Sequence, residues 1–224
     1  MIGVYGGTFD PVHFGHLRTA WEVADRLALD EVRMVPARHP PHRPPPVAGP
    51  GQRRDMLALA LVGQERLRLD ETELERPGPS WMVDTLECLR ARVGDVPLVL
   101  VLGEDAFAGL PRWRAPRRIL DLAHLAVMTR PGSAPPSRGQ VADWYQARRA
   151  ESVDELRRSP GGRILRCPVT LLDISGTRIR ELIGRGREPR YLLPEAVWRY
   201  IQEKGLYGWP PAQGGREREC TNGK

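Results

Sequence analysis

The chain opens Met1-Ile2-Gly3-Val4-Tyr5-Gly6-Gly7-Thr8-Phe9-Asp10-Pro11-Val12-His13-Phe14-Gly15-His16. Ile2–Tyr5 is an apolar run of strand length, broken by Gly6-Gly7. Asp10-Pro11 predicts a turn. A helix is expected over His16–Leu29, with Leu17, Ala20, Trp21, Ala24, Leu27 and Ala28 on one face. Glycine lacks a Cβ, so its backbone N–H can approach an anion closely. A helix N-terminus adds partial positive charge at the same place. His13 and His16, at i and i+3, can face one anion. Gly-Gly alone marks a tight turn just as well; the histidine pair gives it chemical weight and suits a polyphosphate. A metal pair would need a third ligand of matching type, and none is near in the sequence.

Outward from this start, strands and helices alternate. Val32–Val35 reads as a strand entering a proline-rich loop, Gln52–Val62 as a helix and Leu67–Leu74 as a short strand. Ser80 is placed to cap a helix running to about Val93. Pro97–Leu102 is continuously apolar, as a strand buried on both faces of a parallel sheet must be, and it ends at Gly103-Glu104-Asp105. Ile119–Leu122 closes a helix and Leu125–Thr129 is the next strand. Arg130–Arg163 is less regular, with a helix around Gln140–Ala150. Thr177–Ile183 and Glu195–Lys204 read as helices. The expected fold is α/β: a doubly wound, Rossmann-like parallel sheet with helices on both faces and a small C-terminal helical part. One domain is expected over residues 1–207, and a polar Gly- and Pro-rich tail over 208–224 that is expected to be disordered.

Composition removes several function classes. At 224 residues and 41% apolar content the chain can bury a full core. No apolar run is long enough for a membrane span, and no leader pattern precedes the fold. The three cysteines, Cys88, Cys167 and Cys220, are odd in number and widely spaced, which fits a reducing cytoplasm and no disulfide framework. Cys88 reads as a buried small hydrophobe. The net charge of +6 is almost wholly arginine, Lys204 and Lys224 being the only lysines. Those arginines are interleaved with acids and form no basic-aromatic stripe, so nucleic acid is not an expected partner; attraction of small anionic ligands would explain the charge as well. An oligomer is compatible with the sequence.

Gly6-Gly7-Thr8-Phe9-Asp10-Pro11-Val12-His13-Phe14-Gly15-His16 resembles the GGTFDPxHxGH signature of nucleotidyltransferases whose cores are similar to class I tRNA synthetases. Within that superfamily the chain most resembles the bacterial nicotinate-nucleotide adenylyltransferases, from about Ile2 to Tyr207. The resemblance implies adenylyl transfer, in which a nucleotide phosphate attacks the α-phosphorus of ATP and pyrophosphate leaves. His13 and His16 would then stabilise transition-state charge, with no covalent enzyme intermediate. Mg2+ would be held mainly by substrate phosphates and water. ATP contacts are implied for Gly6, Gly7, Thr8, Phe9, Gly103 and Asp105.

Further segments carry the resemblance. Pro36-Ala37-Arg38-His39-Pro40-Pro41-His42-Arg43 is similar to a PPHK-type loop, with Arg43 in the lysine position as a phosphate contact. In Gln52-Arg53-Arg54-Asp55-Met56-Leu57, Met56 and Leu57 read as core and Arg53 as support for the site. Ser80-Trp81-Met82-Val83-Asp84-Thr85-Leu86 is similar to SYTxxTL, departing at Trp81 and Met82, with Thr85 as the pyridine-nucleotide contact. Gly103-Glu104-Asp105 resembles a GxD element, in which Asp105 would serve ribose or a backbone amide. Trp113 would stack on nicotinate, or else serve as core, and Arg114 would lie near its carboxylate. Ile174-Ser175-Gly176-Thr177-Arg178-Ile179-Arg180 resembles ISxTxIR: Ile174, Ser175, Thr177 and Arg178 would meet ATP, while Arg180 could instead make a structural ion pair. Tyr191–Ile201 also matches the group and reads as helix packing.

The function implied is formation of nicotinate adenine dinucleotide from ATP and nicotinate mononucleotide, in NAD biosynthesis. The alternatives are the same chemistry on nicotinamide mononucleotide or another acceptor, and a nucleotide sensor without turnover. The start supplies no GxGxxG fingerprint for a redox dinucleotide.

Overall fold

The computed structural model describes residues 1–41, 44–130 and 132–210. Chain order is β1 (Ile2–Gly7), α1 (Phe14–Arg26), β2 (Glu31–Pro36), α2 (Pro50–Ala60), β3 (Leu67–Leu69), α3 (Thr72–Glu75), α4 (Met82–Val93), β4 (Leu98–Gly103) and α5 (Glu104–Gly109). A 3-10 turn, Leu110–Arg112, leads into α6 (Pro116–Leu122), β5 (His124–Thr129), α7 (Gly139–Arg148), α8 (Val153–Arg157), β6 (Ile164–Pro168), α9 (Gly176–Gly184) and α10 (Glu195–Glu203). A second 3-10 turn, Leu206–Gly208, follows.

All six strands are parallel, in the order β3-β2-β1-β4-β5-β6. The chain winds outward from β1 on one side and, from β4, outward on the other, so a crevice opens beyond the carboxyl ends of β1 and β4. The apolar run of β4 supplies both faces. Val99 and Val101 join the core under α1, α2, α9 and α10, while Leu98, Leu100 and Leu102 join the core under α4, α6 and α7. The period of two along a strand produces this split.

The structure departs from the expectations in several places. The segment after Arg66 leaves the sheet at Leu69, because Asp70 turns the chain by accepting from the Thr72 N–H at 3.0 Å. Strand β6 was not legible: it is a short edge strand carrying Arg166 and ending at Pro168. Helix α7 matches the helix expected around Gln140–Ala150, while α8 was not anticipated in that stretch. At the start of the expected tail Trp209 packs, its ring edge-on to Trp198 at 4.9 Å; 211–224, including Cys220, lie outside the described residues. Cys88, on α4, is half-buried rather than buried. No helix among the described residues is long and apolar enough to cross a membrane.

Candidate active site

Strand β1 ends at Gly7, and the chain turns tightly over it. A Cβ at Gly7 would sit 2.8 Å from the Phe9 ring, and Phe9 itself has φ +50°, so the turn admits little there but glycine. Phe9, buried beneath the turn, meets the His16 ring edge-on at 5.0 Å. Tyr5 meets the same imidazole edge at 6.4 Å. His13 caps α1 in an extended conformation and its carbonyl accepts from the His16 and Leu17 N–H groups at 3.0 and 3.2 Å. The two imidazoles stack, centroids 3.8 Å apart and planes 26° from parallel. His13 is 5% exposed, and burial pushes its pKa down to about 4, so the ring is neutral near pH 7. Its Nδ1 is buried with no partner among the described residues. A neutral, desolvated imidazole at a helix N-terminus is ready to hydrogen-bond an incoming anion.

Helix α9 brings the second motif to the same place. Ser175 caps it, its Oγ accepting from the Arg178 N–H at 3.3 Å. A Cβ at Gly176 would come within 2.9 Å of the Asp10 carbonyl oxygen, and one at Gly15 within 3.5 Å of the Ile174 carbonyl oxygen. The N-termini of α1 and α9 therefore converge, Ser175, Thr177 and Arg178 being exposed at that end. Arg180 takes the structural role: its Nη1 donates to the Asp10 carbonyl oxygen at 2.6 Å and lies 3.7 Å from the Asp10 carboxylate.

Arg53 supports the site as expected, and more fully. It is 0% exposed and donates to three carbonyls: Ala48 at 3.1 Å, Thr8 at 2.8 Å and Arg38 at 3.3 Å. It thus ties the Gly6–Phe9 turn to both ends of the proline-rich loop, whose Ala37 N–H also donates to the Gly7 carbonyl at 2.9 Å. Met56 and Leu57 beside it are core. Arg43, with His42, lies outside the described residues.

The segment before α4 differs from its expectation. Ser80 does not cap the helix; its Oγ accepts from the Arg38 and His39 N–H groups at 2.8 and 3.2 Å, clasping the loop instead. Thr85 is 0% exposed, its hydroxyl donating to Glu73 Oε1 at 2.7 Å and its N–H to the Trp81 carbonyl at 3.2 Å. It therefore offers a ligand neither group, because both are already used one layer below the surface. Met82 lies over β1: a Cβ at Gly6 would meet its methyl at 2.6 Å.

Beyond β4, the Cα of Gly103 faces open space and Asp105 is exposed in the first turn of α5. Glu104 points elsewhere, bound by Arg166 Nη2 at 3.1 Å and by the Ser133 hydroxyl at 2.9 Å. Trp113 is half-buried against the core under α4 and α6. Arg114 pairs with Asp84 at 3.5 Å and lies over the Trp81 ring at 5.8 Å. Sequence reasoning missed Asp10, which it read only as a turn residue. Its 6%-exposed carboxylate accepts from the Val47 and Ala48 N–H groups at 2.8 and 3.1 Å and from the Tyr207 hydroxyl at 2.7 Å. Its place inside the signature was the only available signal; its partners lie 37 or more residues away.

The chain matches the cytidylyltransferase-like family model over residues 4–182. It is 46% identical over 209 residues to a "Probable nicotinate-nucleotide adenylyltransferase" of Hahella chejuensis, covering 92% of this chain and 95% of that one. A protein of the same name from Pseudomonas aeruginosa is 44% identical over 212 residues, covering 93% and 98%. In fold, it is similar to the nicotinic acid mononucleotide adenylyltransferase of Plasmodium falciparum complexed with NaAD, at TM-score 0.67 and 15% identity, covering 92% and 96% of the two chains. Matched nearly end to end by relatives of that identity, the chain belongs to the cytidylyltransferase-like family and, within it, to the nicotinate-nucleotide adenylyltransferases.

Proposed function

We propose that this enzyme transfers the adenylyl group of ATP to nicotinate mononucleotide, giving nicotinate adenine dinucleotide and pyrophosphate, a step of NAD biosynthesis. The observation that carries this reading is the stacked His13–His16 pair where the N-termini of α1 and α9 meet. The mononucleotide phosphate oxygen attacks the α-phosphorus as the bond to the bridging pyrophosphate oxygen breaks. Such a step needs alignment and charge stabilisation, not a protein nucleophile. Gly6, Gly7, Thr8 and Phe9 form the turn beside the triphosphate, and His13 and His16 donate to oxygens on which charge develops. Ile174, Ser175, Thr177 and Arg178 present a helix N-terminus and a cation to the phosphates, and Arg43 would add a second cation. Gly103 leaves room for ribose and Asp105 accepts from it. Trp113 stacks on the nicotinate ring, Arg114 supplies charge near its carboxylate, and Thr85 supports that pocket from beneath.

Enzymes of this kind use a divalent ion, and we infer Mg2+, which would neutralise phosphate charge. No group of three His, Cys, Asp or Glu side chains that could hold a metal occurs among the described residues. The ion would enter with ATP, its ligands phosphate oxygens and water. Parallel initial rates with nicotinate and nicotinamide mononucleotides, reading pyrophosphate release with ATP and magnesium, test the reading. A preference of at least about tenfold for the acid is expected, because charge placed for a carboxylate is uncompensated by the amide. Comparable rates would defeat acid specificity, and no release with either would defeat adenylyl transfer.

A further inference from the structure

Tyr207 stands in the last 3-10 turn at φ +58°, between Gly205 at φ +59° and Gly208 at φ +83°. A side-chain-bearing residue persists in that left-handed region only where its surroundings fix it. What fixes it is the hydroxyl, which crosses to Asp10 Oδ1 at 2.7 Å from 197 positions away in the chain. An ionised carboxylate has about four acceptor positions. The Asp10 carboxylate accepts from three donors, the N–H groups of Val47 and Ala48 and the Tyr207 hydroxyl, and the Arg180 guanidinium forms an ion pair with it at 3.7 Å.

These groups come from three separate parts of the chain. Val47 and Ala48 end the proline-rich loop, and the Ala48 carbonyl in turn receives Arg53, which also holds Thr8. Arg180 belongs to α9, whose Gly176 packs against the Asp10 carbonyl. Asp10 itself begins the turn into His13. We propose that Tyr207 is a positioning residue for the adenylyl donor: through Asp10 it keeps the His13 turn, the end of the proline-rich loop and the first turn of α9 in register around the ATP phosphates. This rests on the function proposed above. Trp113 and Arg114 follow β4 and have no part in this network, so the effect of breaking it is confined to ATP.

The decisive variant is Tyr207→Phe in the full chain, which keeps the ring and removes one hydroxyl. Two measurements are made beside the wild type: steady-state rates with ATP and nicotinate mononucleotide varied separately, and ATP binding by calorimetry without acceptor. A hydrogen bond to a charged group is among the stronger ones, so kcat should fall about tenfold and ATP affinity several-fold. The KM for the mononucleotide should stay within about twofold, and far-UV dichroism should be unchanged. Asp10→Asn, alone and combined with Tyr207→Phe, should give non-additive losses in kcat. Unchanged ATP affinity and kcat with only a lowered melting temperature would overturn the proposal, as would equal rises in both KM values. If the wild type releases no pyrophosphate, the proposed reaction falls, while the binding measurement still decides whether Tyr207 orders the ATP side.

Discussion

The two sides of the crevice are built differently. On the β1 side, buried polar groups converge on the backbone of the turn and leave side chains facing the crevice: Arg53 holds three carbonyls, the Asp10 carboxylate gathers three donors and an ion pair, and the His13 Nδ1 has no partner among the described residues. On the β4 side, residues expected to read the acceptor are each engaged by a neighbouring carboxylate: Thr85 by Glu73, Arg114 by Asp84. A triphosphate offers many strong acceptors, so a rigid array of donors suits it. A pyridine ring offers mainly a face, for which an aromatic surface beside a single charge is enough. The side proposed for phosphate is therefore preorganised, and the side proposed for the acceptor is a platform resting on its own polar contacts.

The sharpest way to break this contrast is His16→Ala. If the β1 side carries the chemistry, turnover falls by ~10²–10³ while the fold is retained, as loss of one transition-state donor typically costs. Pyrophosphate release by a variant of native dichroism measures it, and near-wild-type turnover would remove His16 from the chemical step.

Acid should expose the strain of keeping His13 neutral. Its folded pKa of about 4 lies below the ordinary 6.5, so the unfolded chain takes up a proton that the fold refuses. Stability is full above about pH 6.5 and falls as pH drops toward 4, by up to about 3 kcal/mol from this ring. His124, also held below its ordinary value by burial, acts in the same direction. Urea unfolding at pH 7.5 and 4.5 reads the loss, and His13→Asn should remove part of that difference. An identical loss in the variant would assign it to other groups.

Thr85→Val tests whether the acceptor side rests on its buried bonds. Removing the hydroxyl leaves Glu73, whose carboxyl is already pushed up by burial, short of a donor. A stability loss of ~1–3 kcal/mol is expected, with the KM for nicotinate mononucleotide within about twofold. A large rise in that KM at unchanged stability would restore Thr85 as a direct contact.

The smallest effect expected is that of Trp113→Ala. Aromatic stacking adds ~0.5–1.5 kcal/mol beyond area burial, so the KM for the pyridine nucleotide should rise at least several-fold and that for ATP little. Equal changes in both would mark Trp113 as core.

Sequence alone determined the parallel α/β architecture and pointed to the place proposed for the phosphates. Both follow from local signals: apolar runs of strand length, amphipathic helices, and a contiguous motif whose glycines and histidines act within one turn of one another. Arg53 could be read as support, but not its three carbonyl partners. Tertiary structure decided that Ser80 clasps Arg38 and His39 instead of capping α4, and that Thr85 turns inward to Glu73. It also decided that β6 completes the sheet and that Tyr207 reaches Asp10. Each of these depends on partners far along the chain. A hydroxyl or carboxylate carries no mark of which distant donor it will meet, whereas periodicity and backbone freedom are written residue by residue.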